Sequence, residues 1–412
     1  MAGFSFRCAE CGAEHAEEPR LLVCPRCSAL QEKGGPTRGV LEVVLDAIPE
    51  AWPSAEPSSA SFLRAFLPLS PDTPIPPLSV GGTPLLPVPR LREALGLPHL
   101  WLKDDTRNPS GSTKDRASLL VVAKALEYGY PTVAAASTGN AATALAAVSA
   151  ATGTRAVVFV PASAPRAKLV QMLSYGAEVI PVEGTYDEAF ELCLSACEEF
   201  GWYNRNTALN PFTIEGKKTA ALEIAASMAP DEPDVVVVPT GDGVILAGLA
   251  RGFEDLLRGR LLTRMPRLLS VQPEGSAAIF QAWREGSDEI KRVTGAASVA
   301  DSLTVEAPRN AILCLRRIRE SGGATVAVPD SAILEAIPFL AQHSGVFAEP
   351  AAASALPGLQ TALDEGLVGK EDRIVLLVTG NGLKDIPAAS QRVIHPDPIE
   401  PRLEAVAARL GL

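Results

Sequence analysis

Short apolar runs rich in β-branched residues recur along the chain at 132–136, 155–160, 177–182, 234–238, 267–272 and 373–378. Ala- and Leu-rich stretches with helical spacing lie between them, at 115–127, 140–152, 164–175, 186–200, 214–228 and 244–257. Strand-sized runs alternating with helices predict an α/β fold of mostly parallel sheet, covered by helices on both faces, with ligands beyond the carboxyl ends of the strands. Residues 49–90 hold many prolines, including Pro74-Ile-Pro-Pro77 and Pro84, and read as a linker wrapping the surface. The tail after Asp385 is rich in Pro and Ala and ends in one helical run, Leu403 to Leu410. The longest apolar stretches, Asp234 to Pro239 and Ile374 to Val378, fall well short of a bilayer span.

A chain of 412 residues with 47% hydrophobic content can bury one large core or two medium ones, which points to a two-domain globular protein. The formal charge of −11 disfavours the phosphate attraction on which nucleic-acid binding rests. The start, Met1-Ala-Gly-Phe-Ser-Phe-Arg-Cys8, lacks the basic and apolar regions of a signal peptide. The expectation is a cytoplasmic protein with reduced thiols, small-molecule partners and neither nucleic acid nor membrane.

Four of the seven cysteines form Cys8-Ala-Glu-Cys11 and Cys24-Pro-Arg-Cys27, two turn-like pairs separated by twelve residues. Each gap lets a tight turn aim two thiolates at one metal, so Cys8, Cys11, Cys24 and Cys27 suit a tetrahedral zinc in a ribbon-like segment of residues 1–45. Unligated reduced thiols are the plainer alternative. Cys193, Cys197 and Cys314 read as structural.

Four loops fall where ligands are expected. Asn108-Pro-Ser-Gly-Ser-Thr-Lys114-Asp-Arg116 places a lysine near a helix start, where free amides and the helix dipole depress an ammonium pKa and favour an imine-forming nucleophile. A lysine in a first helical turn is otherwise a solvated charge. Ser137-Thr-Gly-Asn-Ala141 follows an apolar strand and opens a helix, an arrangement that serves either as an N-cap or as a carboxylate or phosphate site. Thr240-Gly-Asp-Gly-Val-Ile245 lets backbone amides close on a phosphate, although a lone glycine pattern is poor evidence. Thr379-Gly-Asn-Gly-Leu-Lys-Asp385 turns a hydroxyl out of the last strong strand.

Taken in order, these loops resemble those of the fold-type II pyridoxal phosphate enzymes, and among them the threonine synthases. The resemblance runs from Gly81-Gly-Thr-Pro84 to Asp385, and Asn210-Pro-Phe-Thr-Ile-Glu-Gly-Lys-Lys-Thr219 and Val346-Phe-Ala-Glu349-Pro350 match family segments as well. It implies two three-layer doubly wound domains of the tryptophan synthase β type: a large cofactor domain from 46–115 and 213–386, a smaller domain of 116–212 and a tail of 387–412. It further implies pyridoxal 5′-phosphate bound covalently by Lys114. Asn140 would meet the ring hydroxyl, and Gly241, Asp242, Gly243, Val244 and Ile245 would cradle the phosphate. Thr379 would face the pyridine nitrogen, leaving a moderate electron sink suited to elimination or replacement on an amino acid. Lys114 would then be the base for the α proton, with Ser137, Thr138 and Asn140 on the substrate carboxylate. Relatives are often homodimers.

The substrate pocket departs from the family. Thr213 stands where relatives carry an arginine on the phosphate of O-phosphohomoserine, Ala208 where they carry a serine ligand, and Asp242 where they carry an asparagine. An ionised Asp242 would repel a phosphate by several kcal/mol on the order of Coulomb estimates at intermediate dielectric. One reading keeps threonine synthase and takes the missing charge from Lys217, Lys218, Arg166 or Arg116, with Thr213 and Lys217 on the substrate. A second is a serine or threonine dehydratase, or a β-replacement enzyme acting on a serine derivative. A third class is an inactive, zinc-containing binding protein. The segment Thr379 to Asp385 favours the threonine synthase branch.

Overall fold

The computed structural model describes every residue except Met1, Ala2, Lys33, Pro57, Ser58 and Pro165, so the extreme N-terminus and part of the expected 164–175 helix lie outside the described residues. A three-stranded antiparallel sheet opens the chain, with β1 (Phe4–Cys8) between β2 (Glu14–His15) and β3 (Leu41–Leu45). Its inner face does not stand alone. Phe6, Leu41, Val43 and Leu45 share one buried cluster with Leu120 and Phe212 of the main body, so this small sheet borrows a core it is too short to make.

The next two strands, β4 (Leu85–Leu86) and β5 (Leu100–Asp104), pair with each other, and β5 finds its other partner far along the chain. Between them and that partner runs a four-stranded parallel sheet of β6 (Thr132–Ala136), β7 (Arg155–Pro161), β8 (Glu178–Val182) and β9 (Tyr203–Asn204), in the order β8-β7-β6-β9. Then β10 (Val235–Pro239), β11 (Arg267–Pro273), β12 (Ala324–Val328) and β13 (Ile374–Val378) complete a six-stranded sheet ordered β12-β11-β10-β13-β5-β4. Only β4 runs antiparallel to its neighbour in that sheet. Side chains alternate between the faces of a strand. Accordingly Val235 and Val237 enter one core cluster while Val236 and Val238 enter another, which is why the run is apolar without interruption.

The expected strands appear with ends moved by a residue or so, and two readings need correction. Residues 49–90 are not only a surface linker. Ser59 accepts a hydrogen bond from the Phe62 amide at 3.2 Å and starts a helix, Ala60–Phe66, whose Phe62 and Phe66 are buried against Ala221 and Ile224 of the large core. The dense prolines on either side hid a short element with one strongly apolar face. The stretch 214–228 is two helices, Phe212–Lys217 and Thr219–Met228. Near the break, a Cβ on Gly216 would lie 2.4 Å from the Arg116 carbonyl, so a residue of low helix propensity sits where the neighbouring helix comes closest. No helix among the described residues is long and apolar enough to cross a membrane.

Candidate active site

The helix Lys114–Glu127 begins on the lysine itself, and local bonds fix where that lysine stands. The Thr113 amide donates to the Thr379 carbonyl at 2.8 Å, and the Ser110 amide donates to Asp115 Oδ2 at 2.7 Å. Two residues on, Arg116 reaches into a buried knot. Its guanidinium meets Asp105 at 2.7 Å and Glu223 at 2.6 Å, and Lys103 Nζ meets Glu223 at 2.6 Å. Two cations and two carboxylates balance there. Burial alone would raise the Asp105 carboxyl, yet Arg116 holds it down at about 2. A buried pair of this kind is a poor source of net stability but a strong geometric constraint, and it ties the start of this helix to β5 and to the helix Thr219–Met228.

Lys114 faces a cavity of about 640 Å³ at the carboxyl ends of β6 and β10. The cavity is lined by Ser137 to Ala141, Thr240 to Leu246, residues 301–307 with Arg309, and, from the N-terminal segment, Gly34 and Gly35. Burial lowers the pKa of Lys114; Asp242 and Glu349 oppose this, and Arg205 adds to it. The amine has no hydrogen-bond or ion-pair partner among the described residues, so a neutral nucleophile is within reach.

The glycine-rich loop has the shape of a phosphate cradle. Gly243 stands at φ +87°, and a Cβ there would lie 2.5 Å from Cys314 Cβ, so a side chain is excluded twice over. Gly241 is equally close-packed, with Leu303 Cα 2.9 Å from where its Cβ would be. The helix Val244–Arg258 that follows has no side-chain cap, which leaves first-turn amides free for an anion. Asp242 turns one carboxylate oxygen toward the Arg309 amide at 3.0 Å. These residues fit the phosphate of the cofactor that the sequence implies, and the unpartnered Lys114 fits its aldehyde.

Asn140 donates to both carboxylate oxygens of Glu349, at 3.0 and 3.1 Å. Burial raises the Glu349 pKa against that bond and against Lys384 and Lys114. Ser137 and Thr138 line the cavity beside Asn140, and Thr138 to Asn140 are shared with a second cavity of about 720 Å³ that also reaches Ser110, Gln171, Glu349 and Lys384. Thr379 is buried beside Thr113 and lines neither cavity. Thr213 gives its hydroxyl to the Asn210 carbonyl at 2.7 Å and also lies outside the lining.

Of the four cations considered for a substrate phosphate, two are engaged elsewhere and a third lies away from the cavity. Arg116 is held by Asp105 and Glu223, Lys218 is held by Glu215 and Asp255, and Arg166 is exposed and outside the lining. Lys217 differs. Its Nζ is fully buried without a partner, and burial, Lys114 and Arg205 together hold its pKa well below the usual lysine value. Arg205, which the sequence reading passed over, lines the cavity. Its Nε and Nη1 donate to the hydroxyls of Ser118 and Thr207, but Nη2 is buried with no partner, and burial lowers its pKa to about 10. An arginine directly after a short strand was the only available signal.

Cys8, Cys11, Cys24 and Cys27 converge, their sulfurs all within 4.8 Å of one another, with 3.7 Å between Cys8 and Cys27 and 3.9 Å between Cys11 and Cys24. Sulfurs at the corners of a tetrahedron with Zn–S bonds of about 2.3 Å would be about 3.8 Å apart, so the donor set fits that ion.

The family described as pyridoxal-phosphate dependent enzyme matches residues 77–380. The chain is 36% identical to a threonine synthase of Methanocaldococcus jannaschii over 336 residues, 81% of this chain and 83% of that one. It is 32% identical to a threonine synthase of Methanosarcina acetivorans over 410 residues, 98% of both chains. Among solved structures, a threonine deaminase of T.th. superimposes with a TM-score of 0.61 at 28% identity, covering 76% of this chain and 94% of that one.

Proposed function

The chain belongs to the pyridoxal-phosphate dependent enzymes, as a threonine synthase-like member of fold type II, and from that premise we propose that it converts O-phosphohomoserine and water to threonine and phosphate. Lys114 would hold the cofactor, Gly241, Asp242, Gly243, Val244 and Ile245 its phosphate, Asn140 its ring hydroxyl, and Thr379 would lie toward its pyridine nitrogen. When bound, the cofactor supplies an electron sink that makes protons on the amino acid's carbon chain removable. Lys114 Nζ, whose pKa burial lowers, would accept and return the α proton. Ser137, Thr138 and Asn140 would fix the substrate carboxylate.

The observation that carries the phosphorylated substrate is the pair of unpartnered cationic nitrogens, Lys217 Nζ and Arg205 Nη2, beside the equally unpartnered Lys114. Each loses hydration in the folded chain and gains no bond in return. A phosphate ester meeting Arg205 on the cavity wall, with Lys217 enclosed outside the lining nearby, would replace the charge lost at Thr213 and the hydroxyl lost at Ala208. Asp242, with an oxygen on the Arg309 amide, would stay within the cradle. We also assign one structural zinc to Cys8, Cys11, Cys24 and Cys27, and read 116–212 as the smaller domain.

The test is to offer purified protein O-phosphohomoserine, O-phosphoserine, serine and threonine separately. Threonine and equimolar phosphate from the first are expected. Keto acid and ammonia from serine or threonine, with no turnover of the first, would establish a dehydratase instead. A protein that never develops a visible cofactor band, even with added pyridoxal phosphate, would be a binding protein.

A further inference from the structure

The cysteine-bearing segment is not a detached ornament on the body. Gly34 and Gly35 form part of the cavity wall, and a Cβ on Gly34 would lie 2.8 Å from Arg292 Nη1 on the opposite side of the mouth. Just beyond, a set of backbone and side-chain bonds leads inward from the thiols. The Cys24 amide donates to the Gly39 carbonyl at 2.8 Å, Arg38 Nε reaches Glu10 at 2.6 Å, and the Thr37 amide donates to the Arg309 carbonyl at 2.8 Å. The Arg309 amide then donates to Asp242 Oδ1 at 3.0 Å, and the Asn310 amide to the Asp242 carbonyl at 3.0 Å. Asp242 is the middle of the phosphate cradle.

Arg309 also spans the cavity with its side chain. Its guanidinium lies 3.7 Å from the centroid of the Phe190 ring and its Nη2 is 3.3 Å from Asp187, both on the helix Tyr186–Phe200 that covers the four-stranded sheet. One residue thus touches three bodies: the cysteine segment through its carbonyl, the cradle through its amide, and the smaller sheet's helix through its guanidinium.

We propose that Arg309 is a positioning residue that couples metal occupancy of the four-cysteine site to the geometry of the Gly241 to Ile245 cradle. This rests on the reading that the cradle holds the cofactor phosphate and that the thiols hold a metal. With the metal in place, Gly39 and Thr37 are fixed, Arg309 is held, and Asp242 is kept from swinging its carboxylate toward the anion. Without it, Thr37 loses its register, and the cradle amides open more often to solvent. Physically this is a two-state segment whose equilibrium biases a second site through contiguous bonds.

The test compares zinc-loaded protein, the same protein stripped by a chelator, and a Thr37→Pro variant that keeps all four thiols but lacks the one donor to Arg309. Metal content is measured in each, and circular dichroism verifies that the body stays folded. Amide exchange is then followed over 240–245 and 309–310, with 374–378 as an internal reference. Loss of one net hydrogen bond predicts roughly three- to tenfold faster exchange at the first two segments in both perturbed forms and none at the third. The apparent dissociation constant for pyridoxal phosphate, read from its absorbance, should rise by a similar factor. Unchanged exchange over 240–245 and 309–310 in the stripped protein, or in metal-loaded Thr37→Pro, overturns the coupling. Failure of zinc-loaded protein to form a cofactor band strikes the functional reading instead, and the exchange data still decide the coupling.

Discussion

Replacing Lys217 by methionine should make the protein more stable and a worse enzyme. Methionine keeps the length and most of the volume of the lysine stem in a fully enclosed site, so packing changes little. What disappears is a buried nitrogen with no partner, a group whose enclosure costs about 1–3 kcal/mol. The gain should appear as a rise of several degrees in the unfolding midpoint. In the presence of O-phosphohomoserine the balance reverses. A charge-assisted bond from Nζ to the ester phosphate is worth about 1.5–3 kcal/mol, so kcat/KM should fall roughly 10- to 150-fold. A second signature follows from the sign of the pKa shift. Burial, Lys114 and Arg205 hold the Lys217 pKa well below its usual value in the free protein, and an arriving dianion pushes it back up, so binding inorganic phosphate should be accompanied by proton uptake at pH values between the free and bound pKa. Calorimetry in two buffers of different ionisation enthalpy reads that proton directly. A Lys217→Met protein that unfolds earlier, or loses activity equally on phosphorylated and unphosphorylated amino acids, would refute the placement of an anion at this nitrogen.

Gly243→Ala should lower pyridoxal phosphate affinity by more than tenfold, because the added carbon meets Cys314 and the positive φ at once; absorbance titration checks it. Asp115→Asn tests a buried carboxyl that burial pushes up to about 6 against the Ser110 amide that lowers it. A raised folded pKa gives wild type stability that is present below the usual aspartate range and lost as pH rises through about 6. The variant keeps an acceptor for Ser110 and cannot ionise. It should therefore gain on the order of 3 kcal/mol over wild type at pH 8 and nothing well below pH 4, as read by chemical denaturation.

Which strands the sequence discloses follows from where their charges go. The run Val235 to Val238 is apolar because both faces are covered, and it is read without effort. By contrast β3, Leu41-Glu-Val-Val-Leu45, and β5, Leu100-Trp-Leu-Lys-Asp104, carry charges inside the core. Glu42 is matched by Arg317 at 2.6 Å and Lys103 by Glu223 at 2.6 Å, partners more than a hundred residues away. No local pattern marks such a strand as buried. The loops around Lys114, Asn140, Gly243 and Thr379 were visible because turn chemistry is local, whereas the isolation of Arg205 Nη2 is a property of the folded surroundings alone.

The contrast between two groups of buried cations carries the argument about substrate. Arg116, Lys103, Lys218 and Arg251 each touch a carboxylate, and the first three tie separate secondary structures together. Lys114, Lys217 and Arg205 touch none, and they lie close together: Arg205 lowers the pKa of Lys114, and both lower that of Lys217. Asp242 and Glu349 face them at longer range, but one is bonded to the Arg309 amide and the other to Asn140. A fold that gives those structural cations a carboxylate each, yet leaves Lys114 and Arg205 on the lining of one cavity and Lys217 enclosed nearby without one, favours the arrival of negative charge there. Lys114 would be taken up in holding the cofactor, whose phosphate the backbone amides of Gly241 to Ile245 would meet. Lys217 and Arg205 then remain for the substrate, and a neutral hydroxyl leaving group would not answer them as an ester phosphate would.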